Sequence, residues 1–174
     1  AKGANMDIQN KYGDTALISA ANKGHTDIAA SLIAKGADMD IQNEYGNTAL
    51  MWAAEKGHTD IAALLIANGA DIHIQNKDGR TALMRATEQN HTDIAASLIA
   101  KGANMDIQNK NGSTALILAA EEGHADLAAS LIAKGADIDM EDKEHYAFEA
   151  PISNFNVVIP MDINPNYISL IRRN

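Results

Sequence analysis

The sequence predicts an all-α solenoid of stacked helix-turn-helix pairs with projecting β-hairpin or finger loops. Three observations predict it. First, GHTDIAASLIAKGA at 24–37 returns as GHTDIAALLIANGA at 57–70, NHTDIAASLIAKGA at 90–103 and GHADLAASLIAKGA at 123–136, each start 33 residues after the last. A fixed period of this size marks a stacked-repeat protein. Second, each period carries two sets of helix start and stop signals. Third, hydrophobic residues make up 46% of the chain but aromatics only 4%. The apolar content is therefore largely Ala, Ile and Leu, which suits thin, closely packed layers rather than one thick core.

The unit Lys35 to Ala67 illustrates the elements in order. Its polar lead-in, ADMDIQNEYG, is short, turns at its tip and reads as an extended finger. The first helix comes next in GNTALMWAAEKG, with Thr48 as N-cap, Ala49, Leu50, Ala53 and Ala54 along it, and Gly57 as its stop. The second helix lies in HTDIAALLIANG, with Thr59 or Asp60 as the expected cap, Ile61, Leu64 and Leu65 as an apolar stripe, and Gly69 at its end. The small face of the first helix lets neighbours approach; the second carries the bulk. One pair cannot bury its apolar face alone, so stability becomes a sum over nearest-neighbour interfaces. The expected division is four regular repeats over 1–133 (1–34, 35–67, 68–100 and 101–133), then a degenerate, lengthened repeat or cap over 134–174.

These residues resemble the ankyrin repeat. The resemblance rests on the core G-x-T-A-L-x-x-A-A-x-x-G-H-x-D-I, as in Gly46, Thr48, Ala49, Leu50, Ala53, Ala54, Gly57, His58, Asp60 and Ile61, and on the G-A-D lead-in. It covers residues 2–133 in four consecutive copies. The family pattern has Pro where this chain has Ala16, Ala49, Ala82 and Ala115, and His where it has Ile18, Met51, Met84 and Ile117. The resemblance implies an ankyrin-repeat solenoid that binds a protein partner on the concave face made by fingers and first helices.

Both ends carry expectations. The opening AKGAN elsewhere comes after a second helix, as at Ala34 to Ala37, so the chain reads as a fragment of a longer array. Past Ala133 the pattern frays, yet the segment is rich in Ile, Val, Phe and Tyr, unlike a disordered tail. Ala150-Pro151-Ile152 stands for Thr114-Ala115-Leu116, and Ser169-Leu170-Ile171 for Ser130-Leu131-Ile132. Pro151 fits a first helical turn; Asn164-Pro165 would cap the last helix, with Arg172 and Arg173 at its negative end.

Net charge is −9, from 23 acids against 14 bases. Binding to nucleic acid or to an acidic membrane surface needs a basic footprint, so both are disfavoured. There is no cysteine, which excludes disulfides and thiolate chemistry. No apolar run approaches a membrane span, and the first ten residues lack the apolar core of a signal peptide. A cytoplasmic monomer is the expected state, although a cut N-terminal face offers a place for another copy to stack.

The polar residues that recur invite chemistry and do not sustain it. His25, His58, His91 and His124 share one repeat position. Stacked helices lie about 8–10 Å apart, whereas one metal holds nitrogens at about 2 Å, so this row cannot share an ion. A hydrogen bond to backbone at the inter-helix turn is the expected role. His73 and His145 stand apart and receive no role. Asp7, Asp40, Asp106 and Asp139 form an acidic row, read as a solvated finger face. With no phosphate loop, no Ser-His-Asp arrangement, no metal site and no cofactor implied, an enzyme is not expected.

Positions that differ between copies point to function. Finger-tip positions read Lys11, Glu44, Lys77, Lys110 and Tyr12, Tyr45, Asp78, Asn111; after the turn glycine come Asp14, Asn47, Arg80, Ser113. Inside the first helix come Ser19, Trp52, Arg85, Leu118, then Asn22, Glu55, Glu88, Glu121 and Lys23, Lys56, Gln89, Glu122. Side chains free to change from Ser to Trp to Arg to Leu are not filling one repeated core slot, so these rows are expected to face out. The candidate partner-binding set is Tyr12, Asp14, Tyr45, Asn47, Trp52, Glu55, Asp78, Arg80, Arg85, Glu88, Asn111 and Leu118. Trp52, the only Trp, is either a binding anchor or packed against neighbouring helices. Arg80 and Arg85 are placed to hold an acidic partner group. The rival functional readings are a structural spacer in a multidomain protein and an engineered ankyrin binder.

Overall fold

The structure, a computed structural model, describes residues 5–138. It comprises four helix pairs: α1 (Ala16–Lys23) with α2 (Thr26–Ala34), α3 (Ala49–Lys56) with α4 (Thr59–Ala67), α5 (Ala82–Glu88) with α6 (Thr92–Ala100), and α7 (Ala115–Glu121) with α8 (Ala125–Ala133). No strand occurs among the described residues, so the lead-ins are turn-closed fingers rather than hairpins. The degenerate repeat expected beyond Ile138, with Pro151, Asn164 and the terminal arginines, lies outside the described residues, as do Ala1, Asp139 and His145.

Local chemistry starts and stops each first helix. Thr48 Oγ1 accepts from Met51 N–H at 3.3 Å, and Thr15, Thr81 and Thr114 cap their helices in the same way. Such a cap is worth about 1 kcal/mol. Gly57 ends α3 at φ 73° and returns its N–H to Ala53 O, the left-handed geometry in which a Cβ is strained. In the third repeat Asn90 takes this conformation at φ 56°. The second helices begin otherwise than expected. His58, not Thr59 or Asp60, is the N-cap of α4, and it makes no side-chain cap bond. Asp60 instead lies in the first turn, where a carboxylate meets the helix's positive end.

The first helices stack in one row, α1 on α3 on α5 on α7, and the second helices in another, α2 on α4 on α6. Between the rows runs a continuous core. Leu17, Leu50 and Leu83 fill it from the first helices, Ile61, Leu65, Ile94, Leu98, Leu127 and Leu131 from the second. Burying one such side chain contributes about 1.5–3 kcal/mol, so the stack is held chiefly by these layers. Ala20, Ala21, Ala53, Ala54 and Ala86 are buried between first helices and keep them close. Thr87 replaces the second Ala in α5 and satisfies its buried hydroxyl by donating to Leu83 O at 2.9 Å.

Candidate partner-binding face

The fingers are zipped to one another by residues that recur at every period. Gln42 Nε2 donates to Gly46 O within its finger and to Gln75 O of the next at 3.0 Å; Gln9 and Gln75 do likewise. At the tips, Glu44 N–H donates to Tyr12 O, Lys77 N–H to Tyr45 O and Lys110 N–H to Asp78 O. Gly46 is required at such a junction, since a Cβ there would stand 2.7 Å from Lys77 N. The acidic row belongs to this zipper and is not merely a solvated face. Asp7, Asp40 and Asp106 accept the N–H of Asp38, Asp71 and Asp137, 31 residues on, at 2.8–3.0 Å. His73 stands at that place in the third repeat, and Asn104 N–H meets no such acceptor among the described residues.

On this frame the variable positions divide into three kinds. The finger tips are open: Lys11, Glu44, Lys77, Lys110, Asp78 and Asn111 are exposed, Tyr12 is 47% exposed and Tyr45 58%. Lys11 Nζ lies 4.7 Å from the Tyr12 ring centroid. The Glu44 carboxylate pushes the Tyr45 phenol above its ordinary value, first by accepting its hydrogen bond and then by charge, with Tyr12 and Asp14 adding to it.

The row after the turn glycine is wedged between fingers instead of facing out. Asp14 accepts from Asn43 Nδ2 at 2.8 Å. Asn47, 5% exposed, accepts from Asn76 Nδ2 at 2.8 Å. Arg80 has no acceptor to offer in this row. It turns to Glu88 at 2.6 Å and Asp78 at 3.6 Å.

The first-helix row changes from exposed to sealed along the stack. Ser19 is exposed, Trp52 and Arg85 are half-buried, and Leu118 is buried in the core. Leu118 therefore fills a core slot that Ser19 leaves open, contrary to the expectation that this row faces out. Trp52 packs against the core, its Nε1 is buried without a hydrogen-bond partner, and Lys56 Nζ lies 5.5 Å from its ring. That is the packing alternative for this residue, with one ring face under a cation.

Arg80 and Arg85 are brought together with Glu55 and Glu88 in one network. Arg85 reaches Glu55 at 3.3 Å and Glu88 at 3.6 Å, and Lys56 reaches Glu55 at 3.0 Å. Three cations face three carboxylates, including Asp78. The arginines are thus already paired, and an acidic group from outside would have to displace a carboxylate. The side chains of Arg85, Glu55 and Glu88 are each no more than 20% exposed, so displacing one carboxylate without replacing its charge would leave a largely buried guanidinium unpaired, which is costly.

The histidine row acts between repeats. His91 Nε2 lies 3.2 Å from Glu55 O and His124 Nε2 3.2 Å from Glu88 O. The bond goes to backbone, as expected, but to the preceding repeat and not to the local turn. The His91 ring sits against Gly57, where a Cβ would come within 2.5 Å of Cε1. The recurrence of His beside a helix-ending Gly is the available signal in the sequence, and it points across the repeat boundary. Among the described residues there is no cluster of three or more potential metal ligands, and no helix is long and apolar enough to cross a membrane.

Comparison with known proteins agrees with this geometry. A family model described as ankyrin repeats, in three copies, matches residues 1–76 and 63–142. No curated protein matches the chain.

Proposed function

This chain belongs to the ankyrin repeat family, and from that premise we propose that it binds a protein partner through the finger tips and first helices, the concave face of such arrays. Ankyrin repeats are generally protein–protein interaction modules, and the family is generally non-enzymatic. The observation that carries the reading to particular residues is the exposure of Tyr12 and Tyr45 on adjacent tips, while the constant residues beneath them are consumed in holding fingers together. Tyrosines present contact area at small entropic cost, and aromatic anchors dominate interface energies. Asp78 and Asn111 continue the tip row, Glu55, Arg80, Arg85 and Glu88 form the polar flank behind it, and Asp14 and Trp52 border it, half-buried. Asn47 and Leu118 support this face from within. A preformed surface loses little entropy on binding.

The test is capture from source-cell lysate by the chain beside Tyr45→Ala, Tyr12→Ala and Trp52→Ala. A partner retained by wild type and lost by the tyrosine variants, with their helical circular dichroism unchanged, supports the reading. Equal capture by all four moves the site elsewhere, and no specific capture favours a spacer.

A further inference from the structure

Trp52 and Arg85 hold the same place in successive repeats, one 33-residue period apart, on α3 and α5, which pack side by side. Each keeps a donor that the chain does not use. Trp52 Nε1 and Arg85 Nε are buried and meet no acceptor, and among the described residues no other buried side-chain nitrogen or oxygen is left so. Both groups can only donate. Buried polar groups in folded chains are nearly always hydrogen-bonded, so two orphans at one repeat position of adjacent helices call for acceptors from outside the chain.

Their surroundings define which acceptors fit. Arg85 Nη1 already meets Glu55 at 3.3 Å and Glu88 at 3.6 Å, Arg80 Nε meets Glu88 at 2.6 Å, and Lys56 meets Glu55 at 3.0 Å. With Asp78 beside Arg80, three cations balance three carboxylates. The cluster lacks acceptors and does not lack charge. We infer that this place takes uncharged amide carbonyls, from the main chain or the Asn and Gln side chains of a bound protein segment, which accept from Trp52 Nε1 and Arg85 Nε. An entering carboxylate would be repelled by Glu55 and Glu88 or have to evict one of them; a carbonyl meets the donors and leaves both in place. Lys56 gives the way in. Its side chain is 43% exposed, its ion pair is with its own neighbour Glu55, and its Nζ lies 5.5 Å from the Trp52 ring centroid. An exposed pair of this kind holds weakly, so Lys56 swings aside as the carbonyl enters. The inference rests on the partner-binding reading and adds the chemistry of the partner to it. Buried donors also give selectivity, because a ligand without the acceptor leaves them unpaired.

Trp52 is the only tryptophan, so one indole N–H resonance reports on the site. The probes are peptides selected from a random library on the full chain and then synthesised. They are expected to move the indole N–H resonance downfield. They should bind Trp52→Phe, which keeps a ring but no N–H, about two- to tenfold more weakly, the worth of one hydrogen bond. Replacing any Asp or Glu of the peptide by Asn or Gln should leave binding in place. If Trp52→Phe does not fold, the indole resonance of the wild-type chain decides alone. Peptides that lose binding to Tyr45→Ala but leave the indole resonance unmoved overturn this inference and leave the finger-tip reading standing. Peptides that shift the resonance but depend on an Asp or Glu overturn it as well, since the cluster then takes an acid. If no selected peptide shifts the indole resonance or is weakened by Tyr45→Ala, the partner-binding reading fails and this inference with it.

Discussion

His91 and Glu55 tie two repeats together at the edge of the candidate binding face. The imidazole Nε2 lies 3.2 Å from the Glu55 carbonyl, while the Glu55 carboxylate is held by Arg85 and Lys56. One residue thus anchors the stack by its backbone and the surface network by its side chain. His91→Ala is expected to cost about 1–3 kcal/mol, because it leaves a half-buried carbonyl unpaired. Gly57→Ala should cost at least as much, since a Cβ meets the His91 ring and a left-handed Ala adds about 1–2 kcal/mol. Urea denaturation of both variants checks this; stability within about 0.5 kcal/mol of wild type would remove the junction's claimed role.

Asn90 occupies the helix-ending position that Gly24, Gly57 and Gly123 hold elsewhere, at φ 56°. Asn tolerates this region better than most residues, but Gly has no Cβ penalty there. Asn90→Gly is therefore expected to stabilise the chain, by less than the roughly 1–2 kcal/mol that the left-handed conformation costs an ordinary L-residue. The check is its urea midpoint, and a lower midpoint at unchanged slope would contradict it.

His73 interrupts a row in which aspartates accept a backbone N–H from the next finger. His73→Asp supplies an acceptor for Asn104 N–H and should stabilise by about 0.5–1.5 kcal/mol. Hydrogen exchange at Asn104 gives the local readout: slowing is expected, and an unchanged rate would show that the bond does not form.

Tyr45 provides a pH readout of the finger tips. Its proton is held more tightly in the folded chain because Glu44 accepts the phenol's hydrogen bond and repels the phenolate. A phenol raised in the folded state makes stability fall as pH rises from its ordinary value through the raised one. Glu44→Gln should move the Tyr45 titration, tracked by phenolate absorbance, back toward that ordinary value. No movement would place the cause elsewhere.

Much is legible without the fold. The 33-residue spacing, the threonine caps and the glycine stops are properties of a single repeat, where the interacting atoms lie three to five residues apart. The apolar stripe Ile61, Leu65 and its copies is equally local, because helical periodicity alone places it on one face. The exposure of Tyr12 and Tyr45 is legible too, since a turn at a finger's end has nothing above it to cover it.

What only the tertiary structure decided lies between repeats. Asn47 and Asp14 vary in identity, yet each is held by an asparagine 29 residues on. The aspartate row reads as solvated until its partners, 31 residues away, are in place. Arg80 and Arg85 are paired because α3 and α5 bring Glu55 and Glu88 to them, and Leu118 is buried although its counterpart Ser19 is exposed. The sequence by itself determined the unit and its period, because caps, turns and helical stripes are set by near neighbours. The stack decided which polar residues are mortar and which are surface, because that depends on the side chains of the next copy, which no single repeat contains.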